Sequence, residues 1–449
     1  MGHFITVCCE AMIESILFKG ISVLMPEGFR EGDVFVKAGK IAEIGASVSS
    51  PAEQTISGKG LAVFPGVIDP HVHFRDPGLT WKEDLESGSR AAAAGGVTSF
   101  FDMPNTQPST TTVQLMAEKK QIAAEKSLVN YNFFIGATAD NIDELNTVEN
   151  VPGIKLYMGP STGELLVDDT ATIARLFAQA KPLIAIHAED GHTITENKAK
   201  YGTDTIHNHY KIRSAEAAKM ATETAISLSK KYNKRIHICH VTTGQEAAML
   251  MAEKNNPLIS GEVTPQHLLL FAPNIYDEIG TYAQMNPPIR EREHGVALFK
   301  ALINGGIACI GTDHAPHSKE EKDAGFGKAP SGMPGVETSL SLLLTLAAQG
   351  QITYHQLTEW LCHAPARLFN IENKGFLKAG FDADLAIVDL NARKTLSNET
   401  TISKCGWTPF NGREVTGIPI LTVVNGQIVY REGDFFEEIK GKEIKIRRI

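Results

Sequence analysis

The chain has 449 residues, 43% hydrophobic and 21% charged, with a formal net charge of -9. That length exceeds one small core and suits a single large α/β barrel carrying an accessory domain. The acidic balance argues against a nucleic-acid groove and says only that the surface is well solvated.

Six cysteines stand at 8, 9, 239, 309, 362 and 405 without a CxxC pair, so neither a disulfide framework nor a thiolate zinc site is indicated. A reducing compartment, the cytoplasm, is the simplest expectation. The opening FITVCCEAMIESILF is broken by Glu10 and Glu14 and has no basic flank, so it reads as neither a signal peptide nor a membrane span. MGHFIT matches the loose myristoylation pattern and is read as chance or an imprecise start to the chain.

In chain order, hairpin-like strands come first: ILFKGISVL, DVFVKAGKIAEIG and TISGKGLAVF. From about residue 61 to 372, short β-rich runs alternate with helical stretches, as in a parallel sheet. The strand candidates are 62–71, 95–104, 130–137, 153–159, 182–189, 235–242, 258–265 and 306–313. Helical patterns between them include 82–94, 170–180 and 214–232. Eight such units predict a TIM-type (β/α)8 barrel. After it come GFLKAGFDADLAIVDL and IPILTVVNGQIVY, with Gly39 and Asn425-Gly426 as turn candidates. The end segments, 1–60 and 373–449, are expected to pair into one small β-sandwich.

Barrel strands expel polar side chains to their C-terminal ends, where barrel enzymes keep their chemistry. His71 and His73 close the first strand; Lys155 lies on the fourth, His187 ends the fifth, His240 the sixth and Asp313 the eighth. All six would meet at one rim. Alternate residues point the same way, so His71 and His73 form a two-ligand pincer. Imidazole and carboxylate suit zinc, at roughly 2.0 to 2.2 Å, without excluding other divalent ions. A lone histidine at a strand end is usually just hydrogen-bonded; six polar positions at one rim are not so explained. His237 and His267 fall outside this pattern and are read as structural. Lys155 cannot bind a cation as an ammonium. Either it pairs with an acid, or carbon dioxide converts it to a carbamate able to bridge two metals about 3.5 to 4 Å apart.

The motifs HVHFRDPG, MPNT, GIKLYMG, IHAE, CHV, MNPPIR and GTDHAPH resemble, in order, the series of the cyclic amidohydrolases, and within them the dihydroorotases most closely. The resemblance covers essentially the whole chain. It implies two Zn2+ ions, one held by His71, His73 and Asp313 and the other by His187 and His240, bridged by carboxylated Lys155 and a hydroxide. It implies Asp313 as general base and then acid, and reversible hydrolysis of L-dihydroorotate to N-carbamoyl-L-aspartate in pyrimidine biosynthesis. Arg75, two positions after His73, would clamp a substrate carboxylate. Asn105, Asn286 and His317 match positions that complete the pocket, and the backbone of Ser331 and Gly332 would meet the ring amides. The alternatives are another cyclic amidohydrolase, such as a dihydropyrimidinase or allantoinase, and a metal-free scaffold homologue. The implied partner is a small molecule and neither nucleic acid nor membrane, with a homodimer left open.

Weaker signals complete the reading. PSTGELL, 160–166, is either a loop closing over substrate or a surface turn; the charged, Gly-rich segment 318–332 is expected to border the pocket and move. Cys239 and Glu262 read as a buried thiol and a paired acid, with an extra metal contact as the alternative, and KGKEIKIRR as a solvated strand or tail and not a nucleic-acid site.

Overall fold

The computed structural model describes residues 13–160 and 165–447. The myristoylation-like start, Cys8 and Cys9, and the centre of the 160–166 loop lie outside the described residues. Five strands open the chain: β1 (Ser15–Met25), β2 (Gly28–Lys37), β3 (Lys40–Gly45), β4 (Gln54–Ser57) and β5 (Ala62–Pro65). They join β15 to β18 from the other end (Leu385–Thr395, Glu414–Val424, Gln427–Arg431 and Asp434–Phe435) in one sheet, with β5 pairing to both β1 and β15 and β4 branching off β1. The hairpin turns carry positive φ at Ala38-Gly39 and at Asn425-Gly426, the geometry that favours glycine and asparagine there. The inward alternation of Ile16, Phe18, Val34, Val36, Leu385, Ile387 and Val423 builds one apolar core shared by both chain ends, the interior of the β-sandwich.

The run 62–71 reads as one strand in sequence, but the structure divides it. Ala62–Pro65 belongs to the sandwich sheet, and the barrel begins at β6 (Val67–Val72). The reversal falls at Gly66, where a Cβ would sit 2.1 Å from Thr98 Oγ1, so only glycine lets the chain pass that close. The barrel continues through β7 (Val97–Asp102), β8 (Asn130–Phe133), β9 (Ile135–Gly136), β10 (Ile154–Tyr157), β11 (Ile184–His187), β12 (Ile236–Ile238), β13 (Ile259–Val263) and β14 (Cys309–Ile310). β8 and β9 are one broken strand, so eight positions run parallel around the ring. A parallel bridge between Val72 and His314 joins the first to the last. Helices at Leu85–Ala94, Thr170–Gln179 and Ala215–Tyr232 match the predicted stretches to within a few residues, and side chains of Asp84, Asp169 and Ser214 cap their N-termini.

The basic tail follows the strand alternative of the sequence reading, with Lys442, Lys445 and Arg447 exposed. Ile444 is fully buried, Glu443 and Ile446 pair with Tyr131 and Ile371, and Lys442 N donates to Asn130 Oδ1. Alternating isoleucines, not the charges between them, decide where this segment lies.

Candidate active site

At the C-terminal end of the barrel a small cavity is lined by His71, His73, Arg75, Asn105, Lys155, Tyr157, His187, His240, Asn286, Asp313, Ala315, Ser331 and Gly332. All six rim residues are there, because parallel strands in register deliver their ends to one level: Lys155 opposes Ala185, and Tyr157 opposes His187. Three of the non-glycine lining residues, Arg75, His240 and Asp313, hold positive φ of 62°, 36° and 47°. Such backbone costs roughly 1 to 3 kcal/mol per residue and persists where the surroundings impose it.

The hydrogen bonds decide which imidazole nitrogens face the cavity. His71 donates from Nδ1 to Glu262, His73 from Nδ1 to Asn105 Oδ1 at 2.7 Å, and His187 from Nε2 to Glu189 at 2.9 Å. Each bond holds one tautomer and leaves the other nitrogen with a free lone pair, the arrangement that orients histidines for a metal. His73 Nε2 lies 2.9 Å and His71 Nε2 3.3 Å from Asp313 Oδ1. His187 Nδ1 faces His240 Nε2 at 3.1 Å. Ligand atoms of His71, His240 and Asp313 lie within 4.8 Å of one another.

Electrostatics agree. Burial holds His73 down to about 3 and His240 well below the usual histidine range, so both keep neutral, ligand-competent rings. Burial opposes charge on Asp313, yet His71 and His73 keep its carboxyl ionised, down to about 2. For His71, burial and Lys155 disfavour protonation while Glu262 and Asp313 raise it to about 10; a proton and a divalent ion are alternative occupants of that nitrogen. Lys155 is fully buried, its Nζ 3.1 Å from Cys239 Sγ and 3.5 Å from His71 Nε2, and it pairs with no carboxylate among the described residues. A free ammonium is a poor occupant of that place. An orphaned His240 Nδ1, three oriented imidazoles and an unpaired lysine fit a divalent centre.

Arg75 is 2% exposed and also lacks an acid among the described residues; its Nε donates to Pro316 O at 3.2 Å. His317 is not in the lining: it stands behind Arg75 at 3.2 Å, donating from Nε2 to Ser331 O and accepting from Lys82 at 3.1 Å. Gly332 has φ 152°, and a Cβ there would meet Ala315 O at 2.3 Å, so glycine is what lets this backbone face the cavity.

The amidohydrolase family profile matches residues 62–429. The chain belongs to the amidohydrolase family. Among curated amidohydrolases it is 34% identical over 435 residues to the dihydroorotase of Methanosarcina acetivorans, covering 93% of this chain and 92% of that protein. It is 37% identical over 394 residues to the dihydroorotase of Halobacterium salinarum, covering 85% and 89%. Its fold is similar to that of the L-hydantoinase (dihydropyrimidinase) of Arthrobacter aurescens, with TM-score 0.91, 29% identity and coverage of 97% and 100%.

The acid pairing read for Glu262 is present, while three further residues around this site, Glu189, Arg213 and Tyr157, were missed by sequence reading. Glu262 serves both His71 and His237, so the paired acid is part of the centre's support. Glu189 joins His187 to Arg213, whose Nε lies 3.0 Å away; burial opposes charge on its carboxyl, but the Arg213 guanidinium and His187 hold it low, at about 2. Glu189 stands in IHAE, two residues from its histidine, and was open to notice; Arg213 had no signal. Tyr157, two positions after Lys155, lines the cavity with them. The 318–332 segment borders the site and is anchored to it: buried Lys322 donates to Gln284 O, Pro330 O and Gly332 O at 3.0 to 3.1 Å. His237 and His267 bond to Glu262 and to Pro287 O, consistent with structural roles.

Proposed function

We propose that this chain is a dihydroorotase, hydrolysing the cyclic amide of L-dihydroorotate reversibly to N-carbamoyl-L-aspartate. The observation that carries the reading is Arg75, a buried guanidinium without an acid partner beside the histidine cluster, suited to a substrate that is both a ring amide and a carboxylate. His71, His73 and Asp313 would hold one zinc ion and His187 and His240 a second. Lys155 would join them as a carbamate, its nitrogen having taken up carbon dioxide and released a proton. Bound there, the zinc pair supplies the Lewis acidity that makes water nucleophilic near neutral pH and polarises the amide carbonyl.

The chain's own groups do the rest. Arg75 holds the carboxylate, kept in place by Pro316 O, which accepts from its Nε. Asn105 and Asn286 flank the ring, and the Ser331 and Gly332 backbone meets its amides. Asp313 accepts the proton of the attacking water as the carbon becomes tetrahedral, then returns it to the ring nitrogen as the C–N bond breaks.

The hydantoinase-like fold supports a second reading, an enzyme of uncharged cyclic amides. Turnover of dihydroorotate, dihydrouracil and allantoin, measured side by side, separates the two: dihydroorotate is expected to dominate, and activity confined to uncharged rings would overturn the proposal. Less than one metal ion per chain in protein purified without chelator, with no turnover, would support a scaffold instead.

A further inference from the structure

Three residues lining the cavity carry a buried side-chain atom without a hydrogen-bond partner: His240 Nδ1, Asn286 Oδ1 and the Tyr157 hydroxyl. The first two belong to residues with roles in the centre and the pocket. Tyr157 has none. It is 3% exposed, so water reaches its hydroxyl poorly, and a buried phenol lacking a partner is a cost that phenylalanine would avoid. A group placed so expects its partner from a molecule that enters the cavity.

Its position narrows what that partner is. Tyr157 ends β10 on the same side as Lys155, and its ring lies 5.8 Å from that of His187 and 5.2 Å from Lys155 Nζ. This is the fourth and fifth strand side of the mouth. Ser331 and Gly332 follow the eighth strand, across the barrel. A ring whose amides meet those two residues turns its other edge, the edge next to the lysine and histidines, toward Tyr157. The carbonyl under attack lies where Asp313 and Lys155 face each other, and Tyr157 lines that same small cavity.

We propose that Tyr157 is a catalytic residue whose hydroxyl donates a hydrogen bond to the oxygen of the attacked carbonyl. This rests on the dihydroorotase reading. As water adds to the carbon, the carbonyl π pair moves onto that oxygen and the bond from Tyr157 strengthens. When the pair returns and the C–N bond breaks, the leaving nitrogen takes its proton from Asp313, and Tyr157 keeps its own. Donors aimed at developing charge act on the rate more than on substrate binding.

The test is Tyr157→Phe in the metal-loaded enzyme, which removes one unbonded oxygen. Expected is a fall in kcat of about 10²- to 10³-fold on dihydroorotate, with KM within about threefold and metal content and Tm unchanged. A kcat within about threefold of wild type overturns the proposal. So does a loss of rate accompanied by a fall in Tm or metal content, which marks a structural residue. If wild type hydrolyses only an uncharged ring, it is the parent reading that fails, and the same comparison on that ring still decides Tyr157.

Discussion

At the closed end of the barrel, Lys234 donates to Ala180 O and Lys181 O, and Arg235 donates to Leu368 O. These side chains line a cavity of about 690 Å³ with Asn146, Asn150 and Asn370, yet their charges answer carbonyls at the ends of helical segments, where cations are stabilising. At the open end, Lys155 and Arg75 are buried more deeply and pair with no acid among the described residues. The larger cavity is therefore structural and the smaller one chemical. A buried charge already answered by the chain stabilises the fold; one left unanswered awaits a ligand or a modification.

Lysines give the sharpest version of this contrast. Lys119 is buried too, but it sits 2.5 Å from Asp102 and 2.9 Å from Met103 O. Lys155→Ala is expected to lose bound metal and at least about 10³-fold in turnover, roughly 4 kcal/mol of transition-state stabilisation. Short carboxylic acids should restore part of it, and full activity in the variant would rule the carbamate out. Lys119→Ala, by contrast, strands Asp102 and should cost about 3 to 5 kcal/mol in denaturant melts, while molecules that remain folded keep their metal.

Glu262→Gln weakens the acceptor that orients His71, and metal affinity in a chelator competition should fall about 10- to 100-fold. Arg75→Gln should lower kcat/KM for dihydroorotate by about 10- to 100-fold, with a smaller change for dihydrouracil. Equal losses on both would remove the carboxylate clamp from the account.

The smallest effect is one of pH. His209 donates from Nε2 to Met285 O at 2.8 Å, and burial lowers it to about 3. Below the unfolded value of about 6.5 the unfolded chain takes up a proton that the folded chain refuses. The stability this group contributes is thus complete above pH 6.5 and is lost as pH falls from there toward 3, by up to roughly 1.4 kcal/mol per unit. Replacing it as His209→Gln should flatten the decline in denaturation midpoint between pH 7 and 5; an unchanged slope would show that other groups dominate.

Much of this was legible because buried parallel strands are written as apolar runs ending in polar residues. The two histidines of strand one, Lys155, His187, His240 and Asp313 stood at such ends, and the structure brings them together around one cavity. The boundary near Pro65 was not legible, since sandwich and barrel both bury the same kind of run and only backbone pairing tells them apart. The tail was legible in part: its exposed charges were read, and the burial of Ile444 was not. His317 sits behind the pocket and not in it, a difference of one layer that spacing does not encode.

The sequence by itself determined the class of fold and the rim residues, because hydrophobic period and strand-end polarity are local properties. Tertiary structure alone decided which nitrogen of each imidazole faces the cavity, which lysine has an acid and which has none, and where a tyrosine hydroxyl is left unbonded. Those depend on partners far apart in the chain, such as Glu262 for His71 and Asp102 for Lys119, and a hydrogen bond exists only once folding has brought both of its ends to one place.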